Sequence, residues 1–201
     1  MVIRFVTIRT ANIIQIMLNL DIFAWTLKGM EMNKNVFIIN GSGGSGKDTF
    51  IFLVESELLK YDKETMTYSS AETAKQIVDI LNFTKEKDEK YRKCVSDIKA
   101  AITKFSDVPF LQMMSKYVEF MADENAVVLF LHIREPQEIE RAVGAFNAKT
   151  ILVKNDNVEQ IKSNDSDANV FDYDYDIVID NSGSKNELRI KAEQFVKSIM
   201  E

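Results

Sequence analysis

Seven glycines occur in the 201 residues, and four of them, Gly41, Gly43, Gly44 and Gly46, fall within six positions. With Ser42, Ser45 and Lys47 they spell G-S-G-G-S-G-K, which fills the pattern GxxxxGK. Glycine lets a backbone curl so that successive N–H groups turn inward, and a ring of inward N–H groups holds an anion. An apolar run, 36–40, precedes the cluster and an apolar-periodic segment follows it. That order, strand then loop then helix, separates a phosphate-binding loop from a chance match. The helix N-terminus adds the positive end of its dipole. The chemistry is that of holding the phosphates of a nucleotide such as ATP: Gly41, Gly43, Gly44, Ser45, Gly46, Lys47, Asp48 and Thr49 form the phosphate cradle, and Lys47 brings a full charge to the β- and γ-phosphates. A hydroxyl commonly ligates Mg²⁺ directly after that lysine; here Asp48 stands there, followed by Thr49. A carboxylate is a good Mg²⁺ ligand, directly or through water, so Asp48 and Thr49 are the metal candidates. The competing reading of Asp48 is stabilisation of the helix N-terminus alone.

The elements that must carry this loop alternate. Strands are expected at 36–40, 65–68, 126–131, 150–153 and 176–179. Helices are expected at 47–60, from a capping box at 69–72 to about 81, and at 87–105, 109–121, 136–146 and 185–200. Short apolar runs read as strands buried on both faces. Five strands alternating with helices imply an α/β domain, a three-layer arrangement around a parallel sheet. On the helix at 87–105 the apolar face is Tyr91, Val95, Ile98, Ile102 and Phe105. Arg92, Ser96, Lys99 and Thr103 form a polar stripe on the other side. Arg92 and Lys99 are candidates for holding a second phosphate; a solvated charged face is the competing reading. Ser70 and Lys75, near the start of the capped helix, are further candidates for the same acceptor. Arg134 lies past the strand at 126–131, at the edge where parallel sheets bind ligands, and Arg141 follows seven residues later.

Composition narrows the alternatives. Apolar residues make up 46% and charged residues 28%, which excludes a largely disordered chain and a multi-span membrane protein. Lys and Arg total 25 against 31 Asp and Glu, for a net charge of −6, so a broad nucleic-acid-binding surface is not expected. One cysteine and one histidine, Cys94 and His132, leave no internal disulfide, no cysteine-based zinc site and little triad chemistry. A reducing, cytoplasmic setting fits. Residues 1–31 form a separate N-terminal extension ahead of a domain at 32–201. Within 11–27, Ile13, Ile16, Met17, Leu20, Ala24 and Leu27 recur at helical spacing opposite Asn12, Gln15 and Asn19. Three readings of this extension stand: a start placed upstream of the true one, a helix packed on the domain or a partner, and membrane association, the last disfavoured by its polarity and length.

Ser45-Gly46-Lys47-Asp48-Thr49 resembles the loop of phage-type deoxynucleoside monophosphate kinases, and a related loop occurs in animal-type phosphomevalonate kinase. Residues 91–99 look like the substrate-side helix of these kinases, 127–134 with Glu138 and Ile139 like their third-strand segment, and 174–181 like their last strand. The resemblance spans about 34–200. It implies the P-loop kinase fold, a five-stranded parallel sheet in the order 2-3-1-4-5 flanked by helices. It implies ATP and Mg²⁺ as cofactors. It implies transfer of the γ-phosphoryl group to a small phosphorylated acceptor, a (deoxy)nucleoside monophosphate first. The alternatives are a phosphomevalonate-type substrate, or a nucleotide-binding regulatory protein with little turnover. Lys47, Arg134 and Arg141 are then the catalytic candidates, and Ser70, Lys75, Arg92 and Lys99 the acceptor-binding ones. His132 stands where such kinases often carry an Asp. The segment 154–171, where a lid would sit, has Lys154 and Lys162 but no arginine. The acidic run Asp165, Asp167, Asp172, Asp174 and Asp176 is expected to form a solvated loop with local Asx turns.

Overall fold

Each strand of the sheet sends alternate residues to opposite faces, and both faces are covered. The computed structural model describes residues 34–81, 86, 88–158 and 169–201. The elements are β1 (Asn35–Asn40), α1 (Lys47–Leu58), β2 (Glu64–Ser69), α2 (Glu72–Leu81), α3 (Glu89–Ser106), α4 (Val108–Ala122), β3 (Ala126–His132), α5 (Pro136–Phe146), β4 (Lys149–Lys154), β5 (Ile177–Asp180) and α6 (Lys185–Met200). The sheet runs β2-β3-β1-β4-β5, and every neighbouring pair is parallel. This is the expected 2-3-1-4-5 order of the P-loop kinase fold. β1 lies at the centre, so the loop that leaves it emerges in the middle of the sheet edge.

On one face Phe37 and Ile39 of β1 join Val128, Phe130, Ile151 and Val153 beneath α1 and α6. Phe195 of α6 anchors this layer, with its ring 4.9 Å from Phe37 and 5.5 Å from Phe50. On the other face Val36, Ile38, Leu129 and Leu131 pack against Met113 and Phe120 of α4 and Ile139 and Phe146 of α5. A smaller cluster, Ala74, Val78 and Val95, joins α2 to α3. Among the described residues no helix is long and apolar enough to cross a membrane. The expected N-terminal extension, 1–31, lies outside the described residues, as do Lys162, Asp165 and Asp167.

Local chemistry accounts for several boundaries. α5 opens on Pro136, whose missing N–H costs nothing at a first helical turn. α6 opens on a reciprocal capping box between Ser184 and Glu187. The box expected at 69–72 takes another form: Ser69 Oγ accepts from the Ala71 N–H at 3.3 Å and from Lys75 Nζ at 3.0 Å. The inner face expected for α3 also needs correction. Val95 is buried, but Phe105 is 81% exposed, because it sits in the last turn before Asp107 reverses the chain with a positive φ. In the acidic run, Asp176 does more than face water. Its carboxylate accepts from the Thr150 N–H at 2.7 Å and the Thr150 hydroxyl at 2.8 Å, while its own N–H donates back to that hydroxyl at 2.9 Å. Those hydrogen bonds to the charged form hold its carboxyl below the ordinary aspartate value and tie the entrance of β5 to β4. Lys34, just ahead of β1, donates to the carbonyls of Phe120 (2.7 Å), Ala126 (2.6 Å) and Asp123, and so closes the turn between α4 and β3.

Candidate functional site

The glycine loop is shaped by its neighbours. Gly41 has φ +151°, and a Cβ there would lie 2.4 Å from the Val153 carbonyl oxygen, so only glycine lets the loop pass β4. Gly46 has φ +95°, and a Cβ would lie 2.2 Å from Asn181 Nδ2. Asn181, just past β5, earns that proximity: its Nδ2 donates to the Ser45 carbonyl at 2.9 Å, and its N–H donates to the Lys154 carbonyl at 2.7 Å. Asn40, fully buried at the end of β1, braces the loop from the other side. Its Oδ1 accepts from the Gly41 N–H at 2.8 Å; its Nδ2 donates to the Tyr175 hydroxyl at 2.8 Å and to the Arg134 carbonyl at 3.4 Å. The Tyr175 hydroxyl in turn donates to the Val170 carbonyl at 2.9 Å, and burial pushes its phenol up to about 12.

Inside the loop, Lys47 Nζ donates to the carbonyls of Gly41 at 2.9 Å and Ser42 at 3.4 Å. No side chain caps α1 at Gly46. The Ser45 hydroxyl is buried without a hydrogen-bond partner. An orphaned hydroxyl beside an uncapped helix N-terminus and a lysine fits the phosphates of a nucleotide, which would give the hydroxyl and the helix N–H groups an acceptor. Asp48 faces the cleft described next. Thr49 is exposed and lies outside the cleft wall, whereas Asp48, the other metal candidate, lines it.

A cleft of about 240 Å³ opens at the C-terminal ends of β1, β2 and β3. Its wall includes Lys47, Asp48, Ser70, Lys75, Arg92, Lys99 and Arg134, so every acceptor candidate and two of the three catalytic candidates meet around one volume. A wider neighbouring groove, lined by Thr67, Tyr68 and Lys116 among others, shares Asp48, Ser69, Lys75 and His132 with it. Ser70 is buried, and its N–H donates to the His132 carbonyl at 3.1 Å. His132 itself is depressed from 6.5 to about 4, first by burial and then by the positive charges of Lys47, Lys75 and Arg134, with Asp48 acting the other way. At neutral pH its imidazole is therefore uncharged.

Two expectations are corrected here. Lys99 is not a cation open to a phosphate: its side chain is 7% exposed, and Nζ pairs with Glu135 at 2.5 Å and Glu138 at 2.6 Å. Arg141 is not at the site at all. It makes a two-pronged pair with Asp107, at 2.9 and 2.6 Å, and its guanidinium sits 3.5 Å over the Phe110 ring. Three contributors had gone unremarked as site residues. Asn40 and Asn181 each stand at the polar end of an apolar strand, and Glu135 follows Arg134 directly; that placement was the available signal.

The strand order, the braced glycine loop and the cleft beside it define an α/β domain with the P-loop kinase fold. No family model matches the chain, and no curated protein matches it. Among solved structures, the crystal structure of APE1195 is similar with a TM-score of 0.49 at 13% identity, covering 84% of this chain and 97% of that one. A cysteine-to-alanine mutant of the Mycobacterium tuberculosis APS kinase CysC is similar with a TM-score of 0.42 at 17% identity, covering 84% and 98%. Both are distant likenesses, and the assignment of the fold rests on the strand order itself.

Proposed function

We propose that the domain transfers the γ-phosphoryl group of ATP to a small acceptor that already carries phosphate, a (deoxy)nucleoside monophosphate. One observation carries the reading: Lys47 and Asp48 of the nucleotide loop share a cleft with Lys75, Arg92 and Arg134. Phosphoryl transfer asks little covalent chemistry of a protein. It asks for positioning and for positive charge around the moving group. An oxygen of the acceptor's phosphate attacks the γ-phosphorus, a new P–O bond forms, and the bond to the β-phosphate oxygen breaks to release ADP. Lys47 neutralises the β- and γ-oxygens. Arg134, at the end of β3, faces the charge that develops between donor and acceptor, and Arg92 and Lys75 hold the acceptor's phosphate.

Mg²⁺ fits this arrangement through Asp48. The ion keeps several waters and binds nucleotide phosphates with one or two protein carboxylates, so a single cleft-facing aspartate suits it. Among the described residues no cluster of three or more acidic, His or Cys side chains could hold an ion alone. When bound, Mg²⁺ supplies charge neutralisation at the β- and γ-phosphates. The burial of Lys99 against two carboxylates and the removal of Arg141 thin the cationic set, which favours a second reading, a nucleotide-binding regulatory protein with little turnover.

An ADP-release assay across nucleoside and deoxynucleoside monophosphates, with phosphomevalonate beside them, separates the readings. Turnover with a monophosphate is expected, lost in Lys47→Ala. Arg92→Ala is expected to raise the acceptor KM without weakening ATP, while Lys93→Ala, outside the cleft wall, does little. ATP binding with no turnover on any acceptor overturns the kinase reading and leaves the regulatory one.

A further inference from the structure

The cleft wall holds a second carboxylate besides Asp48. Glu135 lines the cleft with its side chain 36% exposed, and behind it Lys99, buried in α3, bridges Glu135 and Glu138. Lys99 and Glu135 come from elements 36 positions apart, and the pair is fixed from the rear by Glu138 at the first turn of α5. Burial works to raise both carboxyls. The Lys99 ammonium overcomes that at Glu135, which lies below the ordinary glutamate value, while Glu138 lies above it. A single ammonium thus serves two carboxyl groups, and the one it holds lower lines the cleft. A carboxylate only accepts hydrogen bonds. The cleft wall therefore carries both kinds of group: Lys47, Lys75, Arg92 and Arg134 suit an anion, and Glu135 suits a donor.

We propose that Glu135 selects the acceptor by taking a hydrogen bond from a neutral donor on its organic part, a sugar hydroxyl or a base amine, and by repelling acceptors that carry a second anionic group there. Lys99 is the positioning residue that holds the carboxylate in place. The inference rests on the acceptor reading above and narrows it, favouring a hydroxyl- and amine-bearing nucleoside monophosphate over a phosphate ester that also carries a carboxylate. A ligand that brings a second anion beside Glu135 meets like-charge repulsion there, and one that brings a donor gains a hydrogen bond to a charged acceptor.

The test is binding of deoxynucleoside monophosphates and of phosphomevalonate, which carries a carboxylate, by titration calorimetry on the full chain. Wild type is expected to prefer its best nucleotide over phosphomevalonate by about tenfold or more. Glu135→Gln is expected to shrink that gap to about threefold or less, mainly by weakening the nucleotide. Glu138→Gln, which leaves the Lys99–Glu135 pair intact, is expected to keep the wild-type gap. Glu135→Asp keeps the charge but withdraws it by one methylene, and is expected to fall between; it carries the test if thermal melting shows Glu135→Gln unfolded. A wild-type gap retained in Glu135→Gln, or in Glu135→Asp where that variant carries the test, overturns this inference while nucleotide binding stands. Equal wild-type affinity for the two ligand classes does the same. A wild type that binds neither class overturns the acceptor reading and this inference with it.

Discussion

His132 is the only histidine in the chain, so its ionisation can be followed directly. The folded protein holds it at about 4, against an ordinary value of 6.5, through burial and through Lys47, Lys75 and Arg134. Each pH unit between those values corresponds to about 1.4 kcal/mol, so protonating the folded chain at His132 costs about 3 kcal/mol. The sign follows from linkage. Above pH 6.5 the imidazole is neutral in both folded and unfolded chains, and the full stability is present. As pH falls from 6.5 towards 4, the unfolded chain takes up a proton that the folded chain refuses, and stability drains away. By pH 5.0 the loss from this residue is about 2 kcal/mol. Carboxylates held low in the fold, such as Asp123 and Asp176, also lose stability in acid. The measurement is therefore a difference: urea unfolding of wild type and His132→Gln at pH 7.5 and pH 5.0. Wild type is expected to lose about 2 kcal/mol more than the variant between the two. Proton NMR of the single imidazole gives the midpoint directly, and added ATP is expected to raise it, because phosphates offset the three cations. A midpoint between 6 and 7 without nucleotide, or equal acid losses in the two proteins, refutes the account of this cleft.

Gly46→Ala places a methyl group where Asn181 Nδ2 lies 2.2 Å away and forces alanine to φ +95°; ATP affinity by calorimetry is expected to fall at least about tenfold, as about 1–3 kcal/mol of strain enters the loop, and wild-type affinity in that variant contradicts the described loop shape. Arg141→Ala is expected to leave ATP binding and turnover unchanged and to cost about 1 kcal/mol or less in urea unfolding, since it removes an exposed ion pair with Asp107; a large loss of turnover returns Arg141 to the site. Asp176→Ala is expected to destabilise the fold by about 1–3 kcal/mol at pH 7 by stripping two hydrogen bonds from Thr150. The difference from wild type is expected to shrink as pH falls through the depressed value of the native carboxyl and that group becomes protonated; a pH-independent difference contradicts the ionic bond.

The strands and the loop were legible because their signals are local. Apolar runs bounded by glycine or asparagine mark β1 and β3, and GxxxxGK names its own chemistry when a strand precedes it. α5 and α6 carry start signals at Pro136 and Ser184. Arg141 misled for a physical reason. Arg134 precedes α5, so a seven-residue spacing from it does not follow helical phase, and the two side chains need not share a face. Lys99 belongs to the polar stripe of α3, but its carboxylate partners lie 36 and 39 positions away, and no spacing rule spans that distance. Phe105 follows the apolar period of α3 into its final turn, where the ring is left 81% exposed. Asn181 and Asn40 were invisible as braces because each acts on a neighbour that only the folded sheet supplies.

The braces on the glycine loop set an order of events in synthesis. Residues 41–46 are made early, yet the side chain that spans Ser45 comes from Asn181, 136 positions later, and the hydroxyl that satisfies Asn40 comes from Tyr175, 135 positions later. Contacts of such long range form after the local ones, because their loop-closure cost must be met first. A chain emerging from the ribosome N-terminus first therefore exposes its glycine loop long before that loop has its working shape. The braced geometry of the loop arrives only when β5 docks against β4, so it reports completion of the whole sheet, and a nascent chain halted before residue 181 holds the right sequence in the wrong form.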